Sequence, residues 1–302
     1  MEISIVIPVY NKADYVADCL KNALEQDFDS FEVIAVDDGS TDGSGAICDE
    51  VAKGDSRLRV LHFENGGVTA ARRKGVENAK GRYIMFLDSD DRLLPGALRK
   101  TYDAIKKTDA DEVFGTYEDQ NGNKYDSGHR GWTDVEPLVW DLLGRRNKFC
   151  VTWGILFKKE ILSNCINTTR LIANGEDILM QIKVLMKDPK VYFIPDSIYL
   201  YNVGVPNNRQ RNLEEEKIYD RELKKTLQPK WDKYESGLLL HQIKLYEKFV
   251  LSKKFNVKKE YYGQFRKNIS KDIPLLDRIA FCLPPRLTYI LIRIFRKIKG
   301  MS

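Results

Sequence analysis

Three carboxylates lie within four residues at Asp88-Ser89-Asp90-Asp91, directly after the apolar run 83–87. The run predicts a buried strand, so its polar end would place negative charge at the rim of a sheet. Hard divalent cations such as Mg²⁺ and Mn²⁺ bind carboxylate oxygens together with phosphate oxygens, which is one interpretation of the cluster. The other is a strand-to-helix turn, in which Asp90 or Asp91 caps a helix that begins near Leu94-Pro95. These residues alone leave both interpretations open.

The elements around this cluster favour a ligand site. Strands are predicted at 3–7, 31–36, 58–63, 83–87 and 111–116, with helices between them at 15–24, 45–51, 69–79 and 95–107. Such alternation is typical of a parallel α/β sheet, whose ligands bind beyond the carboxyl ends of the strands. The polar residues that fall at such ends are Asn11, Asp37, Asp38, Asp88 and Asp90. We therefore expect these side chains to share one edge of the sheet.

The remainder of the chain shows weaker patterns. Pro8 and Pro195 are expected to stop the strands that precede them. A helix is predicted at 178–186, and helical patterns continue over 213–252. The chain has no Gly-x-x-x-x-Gly-Lys-Ser/Thr phosphate loop and no glycine fingerprint directly after its first strand. A kinase, an ATPase or a Rossmann oxidoreductase is therefore disfavoured.

Composition predicts a globular chain with an unevenly charged surface. Of its 302 residues, 43% are hydrophobic and 31% charged, which allows a sizeable core. Residues 251–302 hold thirteen Lys or Arg and three acidic residues, a net +10, so the total of +5 leaves −5 for residues 1–250. Five scattered cysteines and three isolated histidines indicate neither a zinc site nor a disulfide framework. We expect a reducing cytoplasm, with no signal peptide and no membrane-spanning run.

Four motifs, in this order, resemble those of the family 2 glycosyltransferases. They are Ile5 to Asn11 (IVIPVYN), Val36 to Asp42 (VDDGSTD), Asn65 to Gly75 (NGG, then AAR and G) and Asp88 to Asp91 (DSDD). The resemblance covers the first 115 residues strongly and reappears at Trp153–Lys158 and at Gly175-Glu176-Asp177. It fades after Asn202. Each motif alone is weak, whereas four in order are specific.

The resemblance implies a GT-A fold, which is an α/β, Rossmann-like and mostly parallel sheet flanked by helices. With the helical pattern of the last third, it predicts a catalytic domain over 1–210 and a helical, basic region over 211–302. The domain would divide into a nucleotide-binding half, 1–115, and an acceptor half, 116–210. The implied activity is inverting transfer of a hexose or N-acetylhexosamine from a nucleotide-sugar, UDP-linked by family habit, with Mn²⁺ or Mg²⁺. The implied acceptor is a hydroxyl of a glycan or lipid-linked molecule, as in bacterial surface polysaccharide synthesis.

Donor contacts follow from the resemblance and partly from chemistry. By resemblance the metal is held by Asp90, and the nucleotide by Pro8, Tyr10, Asn11, Asp37, Asp38, Gly67, Arg72, Asp88 and Ser89. A base needs a flat partner, which Tyr10 can supply, and an acceptor for its ring N–H, which Asp37 or Asp38 can supply. The alternative for these two acids is turn chemistry with a helix cap. Arg72 lies near a helix N-terminus, where a guanidinium gains nothing from the helix dipole, so it suits an anionic or carbonyl-rich ligand.

Inverting transfer also needs a base to take the proton of the acceptor hydroxyl. Asp177 resembles the aspartate of the family's Glu-Asp motif, with Glu176 as the alternate base. The alternative for Asp177 is an N-cap of the helix 178–186. Trp153 could line an acceptor site by stacking on a sugar, or belong to the core.

The basic C-terminal region predicts a membrane partner. After Pro284-Pro285, apolar residues recur at helical spacing beside basic ones, which is typical of an interfacial helix on an anionic leaflet. The alternative is a helix packed on the catalytic domain. Nucleic acid is disfavoured because no reading motif accompanies the charge. We expect a peripheral protein at the inner face of the cell membrane; the oligomeric state is not indicated. A non-catalytic nucleotide-sugar-binding or scaffold protein is the rival interpretation.

Overall fold

The computed structural model describes residues 1–144, 149, 151–205, 213–253, 271 and 273–298. The chain forms two compact units, one of Met1–Val135 with Lys148–Gln210 and the other of Glu136–Asn147 with Arg211–Ser302. The acidic motifs all belong to the first unit, and the basic C-terminal residues belong to the second.

The first unit contains a 10-stranded sheet within the described residues. Its strands are β1 (Ile3–Val9), β2 (Phe31–Asp37), β3 (Leu58–His62), β4 (Tyr83–Phe86), β5 (Arg92–Leu93), β6 (Glu112–Asp119), β7 (Lys124–Tyr125), β8 (Gly131–Thr133), β9 (Leu156–Lys158) and β10 (Val191–Tyr201). They lie in the order β3-β2-β1-β4-β9-β6-β10-β5, with β7 beside β6 and β8 beside β10. The first four in this order are parallel to one another, and β9 separates them as an antiparallel strand from the parallel pair β6 and β10. This architecture confirms the predicted α/β fold.

The helices are divided between the two units. Those of the first unit are α1 (Val16–Leu24), α2 (Ser44–Ala52), α3 (Val68–Asn78), α4 (Ala97–Thr108) and α6 (Glu176–Leu185). Those of the second are α5 (Val135–Gly144, from Glu136 onward), α7 (Leu213–Leu227), α8 (Trp231–Leu251), α9 (Leu275–Cys282) and α10 (Pro285–Ile298).

Helix α3 packs closely on β1, and a glycine permits this approach. A Cβ atom at Gly75 would lie 2.2 Å from Cγ1 of Val6, well inside van der Waals contact. β1 and β2 are buried at every position, so the near-continuous apolar runs that identified them are those of strands covered on both faces. The carboxyl ends of these strands are thereby fixed relative to the first turn of α3.

Two proline predictions are wrong. β1 continues through Pro8 to Val9, because the N–H that proline lacks would point toward β4, whose pairing with β1 ends at Val6. Pro195 does not split β10 either, since it lies at a register shift between Phe193 and Ser197 where ladder hydrogen bonds are interrupted in any case.

The second unit has its own apolar core. Its buried members are Leu240, Ile243, Tyr246, Val250, Ile273 and Phe281. None of the helices in the described part of the chain combines the length and the apolarity that crossing a bilayer requires.

Candidate active site

The acidic motifs meet at one edge of the sheet. β1, β2 and β4 are parallel neighbours, so their carboxyl ends lie together. The N–H of Asp38, one residue after β2, donates to the carbonyl of Val9 at the end of β1 (2.9 Å). The N–H of Leu87, one residue after β4, donates to the carbonyl of Val6 (3.1 Å). The segments 37–38 and 88–91 therefore flank the end of the same strand.

Asp38 holds the turn that starts α3. Its two carboxylate oxygens accept hydrogen bonds from the N–H groups of Gly66 and Gly67, both at 2.8 Å. Gly67 has φ +88°, a backbone conformation that favours glycine, and Gly66 has no room for a Cβ beside Ala70. Asp38 thus serves turn chemistry, yet each of its oxygens keeps a second lone pair for a ligand.

Asp37 is held by a different set of partners. One oxygen accepts from the N–H of Ser40 (3.0 Å), and the other lies 2.9 Å from Nδ1 of His62. Burial opposes ionisation of Asp37, but the hydrogen bonds from Ser40 and His62 lower its pKa below the ordinary value. His62 also contacts Asp49, and its hydrogen bonds to Asp37 and then Asp49 raise the pKa of its imidazole. His62 belongs to none of the predicted motifs, although its position at the end of β3 could have indicated it.

The loop after β1 is tied to the loop after β2. Oδ1 of Asn11 accepts from the N–H of Thr41 (2.8 Å), and the N–H of Asn11 donates to Oγ of Ser40 (3.1 Å). Tyr10 beside it is 48% exposed, so an edge of the site carries an accessible aromatic face. Pro8 is buried within β1, and a ligand role for it stays a prediction.

A buried guanidinium joins the two sides of the site. Nη2 of Arg72, in the second turn of α3, lies 2.8 Å from Oδ1 of Asp88, and Arg72 is 4% exposed. Burial opposes the charge of Arg72, but the carboxylates of Asp88, Glu176 and Asp177 raise its pKa. Its Nε is buried and has no hydrogen-bond partner among the described residues. Arg72 therefore lies within electrostatic reach of acids from both the Asp88 loop and α6.

Asp177 lies in the first turn of α6 and is not its cap. The N-cap is Gly175, with φ +87°, so the alternative assignment of Asp177 as N-cap is wrong. Oδ1 of Asp177 accepts from the N–H of Ile178 (2.8 Å), and Glu176 beside it is buried. Helix α6 is anchored below this turn by Gln181, whose Nε2 donates to the buried Glu112 of β6 (2.5 Å).

The capping interpretation of the Asp88–Asp91 cluster is also wrong. Helix α4 begins at Ala97 with Gly96 as N-cap, so neither Asp90 nor Asp91 caps it. Asp91 turns inward instead and is 2% exposed.

Asp91 fastens its loop to the end of β10. It accepts hydrogen bonds from the hydroxyl of Tyr199 and the N–H of Asn202, both at 2.7 Å. The Tyr199 oxygen in turn accepts from the N–H of Asp88 (3.2 Å). Burial and then the nearby charge of Asp88 raise the pKa of Asp91 to about 8. Ser89 in the same loop is buried as well.

Asp90 forms an ion pair with a lysine of the same chain. Its Oδ2 lies 2.6 Å from Nζ of Lys12, a residue that sequence analysis missed although it directly follows the Asn11 motif. Within the described residues, no group of three or more His, Cys, Asp and Glu side chains is arranged to hold a metal ion. Asp88 Oδ2 and Asp90 Oδ1 accept no hydrogen bond from those residues. Because Mg²⁺ usually takes one or two carboxylates and completes its shell with substrate phosphates and water, this donor set fits a cation that binds with a diphosphate.

An aromatic group borders the acids. The ring of Trp153 is half-buried and stacks on Tyr199 (4.4 Å between centroids) and on Tyr201 (5.7 Å). The main chain of Trp153 bridges to Phe86 at the end of β4. Burial and then the charges of Asp91, Asp90, Asp88 and Asp177 raise the pKa of Tyr201, which therefore lies within electrostatic reach of all four. Trp153 is thus both a core contact and a neighbour of the acidic cluster.

A separate cavity lies away from the acids. It has a volume of about 810 Å³ and is lined by residues such as Arg73, Arg82, Lys159 and Asn167. Arg82 precedes β4, so this cavity opens at the opposite end of that strand from Asp88. It shares none of the acidic site residues.

Comparisons with known proteins show which family the sequence resembles. The sequence profile described as "Glycosyl transferase family 2" matches residues 4–166. Glycosyltransferase GlyG of Streptococcus pneumoniae is 34% identical over an alignment of 212 residues that covers 66% of this chain and 70% of GlyG. A poly(ribitol-phosphate) beta-glucosyltransferase of Bacillus spizizenii is 33% identical over 208 residues, 67% of this chain but 32% of that protein. The chain thus spans most of GlyG and about a third of the second relative.

The fold is shared with a solved structure. The crystal structure of S. aureus TarS 1-349 in complex with UDP-GlcNAc aligns with a TM-score of 0.74 at 17% identity, covering 100% of this chain and 93% of that one. This likeness bears on the fold alone. Because the family profile matches more than half of the chain and includes the strand-end acids from Asp37 to Asp91, the chain belongs to glycosyl transferase family 2.

Proposed function

We propose that this chain transfers a sugar from a nucleotide-sugar donor to a hydroxyl of a glycan or lipid-linked acceptor, with inversion at the anomeric carbon. The observation that carries the proposal is the buried Arg72, which pairs with Asp88 and lies within electrostatic reach of Glu176 and Asp177. Arg72 thus connects acids suited to a metal-bound diphosphate with an acid suited to take a proton. Transfer requires both groups close to one reacting carbon.

The nucleotide is assigned to the edge formed by β1, β2 and β4. The exposed ring of Tyr10 offers a stacking face, and Asp37 or Asp38 has free lone pairs for a ring N–H. Asn11, Gly67 and Ser89 complete the proposed contacts. Crystal structures of TarS hold UDP and UDP-GlcNAc, which supports UDP as the nucleotide here and a hexose or N-acetylhexosamine as the sugar.

A divalent cation, Mn²⁺ or Mg²⁺, would be held by Asp90, with Asp88 beside it. Such a cation acts as a Lewis acid that neutralises the charge developing on the leaving diphosphate. The chain's own contribution on this side is positional. Arg72 fixes Asp88, and the Asp91–Tyr199 hydrogen bond fixes the loop that carries both acids.

Asp177 is the proposed base, with Glu176 as the alternate. As the acceptor oxygen bonds to the anomeric carbon, its proton passes to the Asp177 carboxylate. The bond between that carbon and the diphosphate oxygen breaks, and the diphosphate leaves with the electron pair. Oδ2 of Asp177 accepts no hydrogen bond from the described residues, so it is available for the proton.

Trp153 is proposed for the acceptor side, together with Tyr201. Both rings border the acids, and Tyr201 is 38% exposed, so a sugar ring could stack there. The poly(ribitol-phosphate) beta-glucosyltransferase among the relatives supports a bacterial surface polymer as the acceptor class.

A panel of UDP-, GDP- and TDP-sugars tests the function against its rival. The purified chain is incubated with each donor, with and without Mn²⁺, and release of nucleoside diphosphate is measured alongside thermal shift. The proposal expects Mn²⁺-dependent release from at least one donor, rising when a glycan acceptor is added. Binding of a donor with no release under any condition would instead support a non-catalytic nucleotide-sugar-binding or scaffold protein.

We further propose that the second unit binds the anionic inner face of the cell membrane. Among the described residues, α9 and α10 expose five large apolar side chains: Leu275, Ile279, Leu287, Ile290 and Ile294. Arg286, Arg293 and Lys297 are exposed on the same α10, so an apolar face is accompanied by positive charge. Six other basic residues of the predicted tail lie outside the described residues: Lys254, Lys258, Lys259, Arg266, Lys267 and Lys299.

Vesicle flotation checks this partner. An Ile290→Glu, Ile294→Glu double variant is expected to lose binding to vesicles that contain phosphatidylglycerol, because it removes apolar area and adds negative charge. An exposed lysine variant in the first unit, Lys53→Met, serves as the control. Equal flotation of the wild type with neutral phosphatidylcholine and with phosphatidylglycerol vesicles would contradict an electrostatic contribution.

A further inference from the structure

Lys12 is held at the site by its main chain. It follows Asn11 in the loop after β1, and its N–H donates to Oγ of Ser44 (2.8 Å). Its carbonyl accepts from the N–H groups of Tyr15 and Val16, both at 2.9 Å, at the start of α1. These bonds fix the Lys12 backbone between α1 and α2. The side chain is therefore anchored at its base and reaches toward the acidic loop.

The Lys12 ammonium is paired with Asp90, the carboxylate proposed to bind the metal. Nζ lies 2.6 Å from Oδ2 of Asp90, and the two side chains are 26% and 18% exposed, respectively. Partial burial strengthens the attraction, because solvent screens the pair less than it screens an exposed one. A divalent cation that binds Asp90 meets a positive charge already in place.

A nucleoside diphosphate changes this balance. Its phosphate oxygens bring negative charge, to which both a metal ion and an ammonium are attracted. Lysine is suited to such a change of partner, because its ammonium is a point charge on a flexible stem. Arg72 is not, since its guanidinium is buried against Asp88 and is 4% exposed.

We propose that Lys12 makes divalent-cation binding at Asp90 depend on a nucleoside diphosphate. Without nucleotide, its ammonium pairs with Asp90 and opposes the cation. With nucleotide, it moves to a phosphate oxygen and leaves Asp90 to the metal. Lys12 is then a positioning residue that couples the two ligands. This inference rests on the proposed nucleotide-sugar function.

Direct binding measurements on the full chain test the coupling. Mn²⁺ affinity is measured by electron paramagnetic resonance with and without UDP, and UDP affinity is measured by calorimetry without metal. Lys12→Met is expected to bind Mn²⁺ about five- to tenfold more tightly than wild type when UDP is absent, since an opposing charge is lost. It is expected to bind UDP more weakly by a similar factor when metal is absent. With both ligands present, the difference in Mn²⁺ affinity is expected to shrink.

Two further variants keep the test specific. Lys12→Arg retains the positive charge and is expected to keep Mn²⁺ binding dependent on UDP. Lys53→Met removes an exposed lysine that pairs with Glu50 on α2, away from the acidic site, and is expected to behave as wild type. Melting temperatures establish that each variant is folded.

The outcomes separate this proposal from the proposed function. Equal Mn²⁺ affinity of wild type and Lys12→Met without UDP, while both bind UDP, overturns the coupling and leaves the transferase proposal intact. Unchanged UDP affinity of Lys12→Met overturns it in the same way. Failure of the wild type to bind any nucleoside diphosphate overturns both proposals.

Discussion

The acids on the donor side and the acid on the acceptor side are held in opposite ways. Asp38 accepts two backbone N–H bonds, and Asp88 is paired with the buried Arg72. The Asp177 carboxylate accepts a single hydrogen bond from the described residues, from the N–H of its neighbour Ile178. A ligand-binding carboxylate gains from being fixed, because its geometry is then preorganised. A base gains from a free oxygen, because it must receive a proton.

Among the variants that test this contrast between the two sides, Asp177→Asn is expected to have the largest effect. The amide keeps the size of the side chain but cannot accept the proton, so kcat is expected to fall by about 10²- to 10⁴-fold. UDP affinity and melting temperature are expected to stay close to wild-type values, since the Asp177 carboxylate accepts no hydrogen bond from a described side chain. Steady-state kinetics and calorimetry measure the two effects separately.

Glu176→Gln is the matched control for that substitution. It makes the same chemical change one residue earlier, at a buried position. A full rate loss in Glu176→Gln, with Asp177→Asn active at the wild-type rate, would exchange the roles of the two residues.

Asp38→Asn tests whether a donor-side carboxylate is held in place by its backbone hydrogen bonds. One amide nitrogen would face the N–H of Gly66 or Gly67, so a hydrogen bond is lost and a buried donor is left unpaired. The cost is about 1–3 kcal/mol, which should lower both the melting temperature and UDP affinity, unlike Asp177→Asn. A variant that bound UDP more weakly with unchanged stability would assign Asp38 to the ligand alone.

The donor side, which carries Asp37, Asp38 and Asp88, was also the part of the site that the sequence could predict. β1 to β4 are apolar runs that alternate with periodic helices, so their ends, and the acids at those ends, follow from local patterns. The buried strands leave few alternatives for register or direction. The α/β fold and the shared edge of Asp37, Asp38 and Asp88 were therefore within reach of the sequence alone.

The hydrogen-bond and ion-pair partners of the acids could not be predicted from the sequence. Lys12 and Asp90 are 78 residues apart, and Tyr199 and Asp91 are 108 apart. The first pair depends on β1 lying beside β4, and the second on β10 pairing with β5 just after the Asp91 loop, and no local pattern encodes either pairing. The same holds for the continuity of β1 through Pro8, which depends on where its neighbour β4 stops.

Glu112→Gln tests how α6, and so Asp177, is positioned. Burial raises the pKa of Glu112 from 4.5 to about 8, so the native state keeps a proton there that the unfolded chain has lost. Between about pH 4.5 and pH 8 the native state therefore binds more protons than the unfolded chain. The free energy of unfolding should fall as pH rises through that range. The expected slope is roughly 1.4 kcal/mol per pH unit, and Glu112→Gln should remove it while keeping the contact to Gln181. Urea titrations at pH 5 and pH 8 measure the difference; equal pH dependence in both proteins would contradict it.

The smallest expected effect is the loss of stability in His62→Gln, a substitution on the donor side beside Asp37. Its hydrogen bonds to Asp37 and then to Asp49 raise the pKa of the imidazole, so the native state holds the extra proton. This stabilisation is fully present below the unfolded pKa of about 6.5 and is lost as pH rises through the higher folded pKa. Because the His62 side chain is 48% exposed, solvent screens the pairs, and His62→Gln should lower stability at pH 6 by less than about 1 kcal/mol. At pH 9 the two proteins should unfold at the same urea concentration, and 1 M salt should shrink the difference at pH 6. A loss as large at pH 9 as at pH 6 would mean that the imidazole supports Asp37 by hydrogen bonding alone, without its charge.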